Sequence, residues 1–204
     1  MKHEHTEQSI LSILNGRYPR QNVAYKLSNS FIFRWESDFF FITKSGYAVE
    51  IEVKISVADF KKDAEKRQKH EVLKLGGYNY ETRKGTLIDK QWVYEREPKF
   101  MQVKMRPNKF YYCVPEGLIT PEQLPPYAGL IYASQFDVRI VKESPYIHKE
   151  KLNFDNILCA KFYYKYLDSK NKIWELEREI ENIRAVRKSE RTHQTNSLFQ
   201  DNTR

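Results

Sequence analysis

Cysteine is almost absent: only Cys113 and Cys159 occur among the 204 residues, and neither has a partner at metal-ligand spacing. A disulfide framework and a zinc finger are excluded, and a reducing compartment, the cytoplasm, is expected. Long apolar runs are missing as well. A run such as Phe39-Phe40-Phe41-Ile42 falls far short of the ~20 residues needed to cross a bilayer, so no membrane partner is expected. The opening MKHEHTEQSI carries acid and no apolar stretch, so no signal peptide is expected. The chain also lacks internal repeats, a phosphate-binding glycine loop, a serine nucleophile elbow and a CxxC pair.

What the chain has in quantity is aromatic and charged residues. Aromatics are 14% and the hydrophobic set 40%, which is too much for a disordered chain, while charged residues reach 30%, too many for a membrane protein. A chain of this length hides roughly 70% of its unfolded surface on folding, so it can build a core without staples. The formal net charge of +8 is unevenly spread. Residues 1–59 hold 7 basic and 7 acidic side chains; residues 60–112 hold 14 and 7, a net of +7. Residues 113–150 hold 3 and 5, and residues 151–204 hold 11 and 8. The basic middle block also carries Tyr78, Tyr80, Trp92, Tyr94 and Phe100. Such a stretch is either a surface that tracks phosphates and stacks on bases or a set of solvated faces.

Periodicity predicts a helix over residues 5–15, on which Ile10, Leu11, Ile13 and Leu14 recur, and strands at Phe31–Trp35 and Phe39–Thr43. Lys44-Ser45-Gly46 reads as a hairpin turn into a strand at Tyr47–Ile55. Ser56 then caps a helix, with Asp59 completing the box, that runs to about Leu75 and stops at Gly76-Gly77. Residues 78–107 read as an insertion of one or two hairpins. Strands follow at Phe110–Val114, Ala128–Ser134 and Asp137–Val141, with a short turn or half-helix in the proline-rich Thr120–Tyr127. A helix is expected over 152–187, interrupted near Asp168-Ser169, and a disordered tail over 188–204. Ile173, Leu176, Ile180 and Ile183 repeat at 3-4-3 spacing. They line either an amphipathic helix docked on the protein or a homodimer interface. The first domain is expected to end near residue 150.

The chemistry is concentrated in Tyr47–Ile55. Side chains alternate along a strand, so Val49, Ile51, Val53 and Ile55 share one face, and Glu50, Glu52 and Lys54 the other. The neighbouring Phe39–Ile42 run is apolar on both faces, which places the charged face beside a buried strand, where carboxylates need a partner or a metal. With the turn at Lys44–Gly46, Asp38 falls roughly opposite Glu52. Two carboxylates about 5 Å apart make a hard-oxygen site for Mg²⁺ or Mn²⁺. Lys54, on the same side, can neutralise charge on a phosphate or orient a water. Together these groups suit hydrolysis of a phosphodiester.

The order helix, strand, Asp38, strand, hairpin, Glu52-Val53-Lys54, helix, strand, strand resembles the PD-(D/E)xK nuclease superfamily, the restriction-endonuclease-like fold. More narrowly, VEIEVKISVADFKKD with the following KH, then NKFYYCVPEGLI and YAGLIYA, is similar to DNA-repair proteins of the MmcB type. The resemblance spans about residues 30–135. It implies an α/β fold, a mixed sheet flanked by helices with an αβββαβ core, to which this chain adds a β-rich insertion and a long C-terminal helix. It implies Asp38, Glu52 and Lys54 as catalytic residues, and Asp38, Glu52 and the Val53 backbone carbonyl as ligands of Mg²⁺ or Mn²⁺. Glu7, on the first helix, matches a further metal-binding Glu of many members, and Glu50 is a candidate ligand one pleat away. Ser37 stands where the family often has proline.

Lys66, Lys69 and His70 project from the helix after the motif, where they either hold DNA phosphates or form a solvated face. Asp59 reads as a helix cap, and Asp63 as the i,i+4 partner of Arg67. The leading expectation is a metal-dependent deoxyribonuclease acting in repair, recombination or restriction-type processing, with DNA as partner. The alternatives are a nuclease-like fold that grips nucleic acid without cutting, and an assembly protein built on the C-terminal helix.

Overall fold

The main sheet is built around central strands that are buried on both faces and need cover on both. The computed structural model describes residues 5–19, 21–89 and 91–201, and it divides into two units, Met1–Asn153 and Phe154–Arg204. In the first unit, helix α1 (Glu7–Arg17) is followed by strands β1 (Val23–Ser30), β2 (Ser37–Thr43) and β3 (Ala48–Val53). Helices α2 (Val57–Ala64) and α3 (Arg67–Leu75) lead into a hairpin of β4 (Gly77–Ile88) and β5 (Gln91–Gln102). Strands β6 (Lys109–Pro115), β7 (Ala128–Ala133) and β8 (Val138–Lys142) complete the unit, with a 3-10 turn at Pro121–Gln123. The order across the main sheet is β1-β2-β3-β6-β7-β8. Pairing is antiparallel from β1 to β3 and from β7 to β8, and parallel across β3-β6-β7. The fold is therefore α/β with a mixed six-stranded sheet.

The two faces of the sheet have separate cores. Val49, Ile51, Val53, Phe39, Phe41, Tyr111 and Ile131 pack on one side with Ile10, Leu11 and Leu14 of α1. On the other side Phe110, Tyr112 and Leu130 pack with Leu73 of α3 and Phe60 of α2. The β2–β3 register pairs Phe39 with Ile51 and Phe40 with Glu50, so Asp38 stands opposite Glu52, at the end of the hairpin farthest from the turn. Gly46 closes that turn at φ +85°, where a side chain would be strained. Asn108, fully buried, ties the start of β3 to later chain. Its Oδ1 accepts from Ala48 N–H, and its amide nitrogen donates to the carbonyls of His148 and Glu150.

Two expectations need correction here. Phe31–Trp35 is not a strand: Val23–Ser30 pairs with β2 instead, and the aromatics after it leave the sheet to pack as side chains, Phe33 stacking on Trp35 at 5.3 Å. The helix after Ser56 is two helices, broken at Glu65-Lys66, although neither proline nor glycine marks the break. Ser56 does cap the first, accepting from Asp59 N–H at 3.1 Å. Gly76 stops the second in the left-handed conformation, φ +75°. The 78–107 insertion is a single hairpin paired without interruption from Gly77–Gln102 to Ile88–Gln91.

In the second unit a single helix, α4, runs over Asp155–Asp201, past the expected end at 187. The expected interruption at Asp168-Ser169 is absent. Ser169 Oγ donates to the Lys165 carbonyl one turn back, which keeps its hydroxyl satisfied inside the helix. Ile173, Leu176, Ile180 and Ile183 are about half exposed along it. No helix among the described residues is long and apolar enough to cross a membrane.

Candidate active site

Where β2 begins and β3 ends, the sheet and the two helices behind it bring six charged side chains together. Asp38 comes from β2, Glu52 from β3 and Lys54 from the residue after that strand. Asp63 comes from the last turn of α2, Lys66 from the helix break and Lys69 from the first turn of α3. The backbone of Lys54 is held by its N–H to the Cys113 carbonyl at 3.0 Å, which continues the parallel pairing one step beyond β3. Its ammonium lies 2.8 Å from Glu52 Oε1, 3.9 Å from Asp63 Oδ1 and 4.0 Å from Asp38 Oδ2. Lys69 takes the other Glu52 oxygen at 2.6 Å and sits 5.0 Å over the Phe110 ring. Lys66 reaches Asp63 Oδ1 at 2.9 Å and Glu52 Oε1 at 3.5 Å. Three carboxylates and three ammoniums alternate, which is how buried charge is tolerated: Glu52, Asp63, Lys54 and Lys69 are all buried.

The environments of the two aspartates diverge. Burial and then the like charge of Glu52 push Asp38 up to about 6, against the pull of the Val53 N–H, Lys54 and Lys69. Asp63 is opposed by burial too, but His70, Lys69 and Lys66 outweigh it and hold the carboxyl far below its ordinary range. Tyr112 adds a hydrogen bond to Asp63 Oδ2 at 2.8 Å. At the helix break the Asp63 carbonyl accepts from Lys66 N–H at 2.9 Å, and His70 Nε2 also reaches it at 2.8 Å. A carbonyl only accepts, so Nε2 carries a proton, and Nδ1 lies 2.6 Å from Tyr127 Oη.

The structure brings Asp38, Glu52 and Lys54 together as expected, and Val53 joins them by donating its N–H to Asp38 Oδ2 at 2.8 Å. Glu7 is not brought in. It is exposed in the first turn of α1, and that helix packs on the face of the sheet opposite Glu52. Lys69 and His70 are not surface phosphate contacts: the first is a buried partner of Glu52 and the second braces the helix break. Only Lys66 keeps a half-exposed ammonium. Asp63 does not pair with Arg67, which instead binds Glu71 at 2.9 Å. Asp63 escaped sequence reading because spacing along one helix says nothing of a break that turns the residue inward. The DFKKD stretch, with an acid one turn after the cap, is the only signal of it.

Glu50 stands one pleat away, fully buried, with Trp35 Nε1–H donating to its Oε1 at 2.7 Å. Burial pushes its carboxyl up to about 7, more than Lys69, Trp35 and Ser37 pull it back. A raised carboxyl favours the folded state least at high pH: the unfolded chain ionises from about 4.5, the folded one only near 7. In divalent-free buffer, stability should therefore fall as pH rises between these values. Glu50→Gln should remove much of that slope and raise stability at pH 8 by about 1–3 kcal/mol. Urea midpoints at pH 5 and pH 8 check this; a variant with the wild-type slope would show that Glu50 ionises freely.

Among the described residues no group of three or more His, Cys, Asp or Glu side chains stands in a metal-binding arrangement, because the carboxylates here face ammoniums rather than a common point. The donor types nevertheless fit a hard divalent ion at Asp38 and Glu52. Both offer oxygen, and Asp38 carries the like charge of Glu52 beside it, which a divalent ion would offset. Such an ion would have to displace an ammonium from Glu52.

No family model matches the chain, and no curated protein does. Among solved structures it is similar to SPO1766, a protein of unknown function from Silicibacter pomeroyi. The two are 19% identical with a TM-score of 0.44, over 74% of this chain and 88% of that one.

Proposed function

We propose that this protein is a metal-dependent deoxyribonuclease of the PD-(D/E)xK type, with a restriction-endonuclease-like core, that hydrolyses DNA phosphodiester bonds in repair or related processing. The observation that carries this reading is the convergence of Asp38, Glu52 and Lys54, with the Lys54 ammonium 2.8 Å from one carboxylate and 4.0 Å from the other. Asp38, Glu52 and the Val53 carbonyl would hold Mg²⁺ or Mn²⁺, which supplies charge neutralisation at the phosphate and a more acidic water. Lys54 presents an ammonium to charge developing on phosphoryl oxygens. Glu52 holds Lys54 in place, and Lys69 balances the second Glu52 oxygen. The test is cleavage of supercoiled, linear and single-stranded DNA with Mg²⁺ or Mn²⁺. Absence of cleavage on every form would refute the catalytic reading.

One observation favours a second reading, a nuclease-like fold that grips DNA without cutting: both Glu52 oxygens are already engaged by ammoniums. The two readings share a salt signature. Since Lys69 is internal, phosphate contacts fall to exposed lysines of the basic block such as Lys62 and Lys74. Affinity should fall steeply with salt, and each charge removed there should reduce the slope of log K against log salt by about 1. Anisotropy titrations from 50 to 200 mM salt measure it; a flat dependence would move the interface elsewhere.

The half-exposed stripe Ile173, Leu176, Ile180 and Ile183 supports a homodimer through α4. Ile180→Lys should convert the dimer to monomer in sedimentation, and a wild-type monomer would remove that partner.

A further inference from the structure

Beside the charged cluster, and sharing Lys66 and Lys69 with it, lies a cavity of about 340 Å³. Its other walls include Arg34, Trp35, Arg67, Val72 and Tyr78, and among the described residues no carboxylate lines it. The volume is at the low end of the ~300–1,000 Å³ of small-ligand sites, enough for one nucleotide and too small for a base pair. The aromatic walls are set in advance. Trp35 is stacked on Phe33 and anchored through its N–H to Glu50. Tyr78 is buried, 8% exposed, with the Arg34 guanidinium 5.7 Å from its ring centroid and donating to its hydroxyl at 2.8 Å. Val72 adds an apolar surface between them. The cations sit at the α3 end of the cavity: the Lys66 and Arg67 side chains are 54% and 77% exposed, and each would exchange a carboxylate partner, Asp63 or Glu71, for a phosphate. Lys66 precedes the first turn of α3 and gives it no side-chain cap, so the positive end of that helix lies at the cavity as well.

Flat aromatic walls with cations at one end match a base and its phosphate. A base inside a duplex is stacked and paired, so only an unpaired nucleotide can enter. We propose that this cavity receives one unpaired nucleotide of a DNA strand, with its phosphate on Lys66 and Arg67. The neighbouring phosphodiester is thereby delivered to Asp38, Glu52 and Lys54. The substrate class of the site is then single-stranded or locally unpaired DNA. This rests on the nuclease reading for the role of the neighbouring phosphate, but not for the binding itself.

The test uses the full chain without divalent cation, so that binding is read apart from cleavage. Anisotropy compares a 12-nucleotide single strand with a duplex of the same length at one salt concentration. Strands carrying 2-aminopurine report stacking by loss of emission. The expected result is roughly tenfold tighter binding of the single strand and quenched 2-aminopurine. Tyr78→Leu and the exposed-site variant Arg67→Ala should each weaken the single strand severalfold more than the duplex. Arg67→Ala keeps the test valid should Tyr78→Leu fail to fold. Equal affinity for the two forms with no quench would overturn the proposal. So would a deoxynucleoside monophosphate that saturates the cavity while the strand does not compete with it. If these binding results hold while no DNA form is cut, the cavity assignment stands and the nuclease reading falls. If duplex is cut as readily as single strand with no cavity effect, the reverse is true.

Discussion

On the proposed nuclease reading, Lys54→Ala should lower DNA cleavage by roughly two or more orders of magnitude, the usual loss when one transition-state charge partner is removed. Metal and DNA binding should survive it. Asp38 and Glu52 remain, and one internal lysine adds little to an electrostatic total spread over the basic block. The fold should survive as well, because Lys69 still neutralises Glu52 at 2.6 Å and Lys66 still meets Asp63 at 2.9 Å. Lys54→Met, which keeps the side-chain stem, should be as inactive as the alanine variant and separates lost charge from lost packing. Calorimetry for the metal, anisotropy for DNA and cleavage of supercoiled plasmid give the three readouts. Glu52→Gln behaves differently: it weakens the metal site and also strips Lys54 and Lys69, both buried, of their shared counter-charge. It should therefore lose stability along with metal affinity. A wild type that binds metal and DNA yet cuts nothing would leave the non-cutting reading; one that binds neither would leave only the fold.

The second large effect is on stability. Asp63→Ala should destabilise the protein by about 3–5 kcal/mol, the cost of breaking a buried ion cluster by removing one member. Asp63 is met by Lys66 at 2.9 Å, Tyr112 at 2.8 Å, His70 at 3.3 Å, Lys69 at 3.8 Å and Lys54 at 3.9 Å. Without it two buried ammoniums are left with Glu52 and, for Lys54, Asp38 at 4.0 Å, and the Tyr112 hydroxyl loses its acceptor. Asp63→Asn restores an acceptor but not the charge, so it should recover only part of the loss. The carboxyl is depressed, so its contribution is present above the unfolded value of 3.8 and is lost only as pH falls through a far lower folded value. The destabilisation should therefore be nearly constant from pH 5 to 9, whereas the Glu50 contribution changes within that range. Arg67→Ala, which removes only a surface pair with Glu71, should stay within about 0.5 kcal/mol in stability. Urea unfolding of the three variants decides this. A loss below about 1 kcal/mol for Asp63→Ala would mean that the cluster is not what holds α2 and α3 on the sheet.

How far the site was legible depends on the distance over which each residue's neighbours are chosen. Val49, Glu50, Ile51, Glu52 and Val53 alternate with the two-residue period of a strand. A hairpin turn three residues long then fixes which residue stands opposite which, so Asp38 could be set beside Glu52 from local spacing alone. The α1 stripe of Ile10, Leu11 and Leu14 is local in the same way, as are the stop at Gly76 and the cap at Ser56. Val23–Ser30 carried no comparable signal. As an edge strand it buries only part of one face, while the more hydrophobic Phe31–Trp35 looked like a strand and is loop.

What the sequence by itself determined, then, is the strand-and-helix grammar of the sheet and the facing of Asp38, Glu52 and Lys54, because backbone periodicity and a short turn settle both. Tertiary structure alone decided that Asp63, Lys66 and Lys69 turn inward to balance those carboxylates. It also decided that Glu7 lies on the wrong face and that Trp35 reaches Glu50 across the sheet. These depend on a helix break with no proline or glycine to announce it. They also depend on which face each helix covers, and both are set by how buried charges and apolar surfaces far apart in the chain satisfy one another.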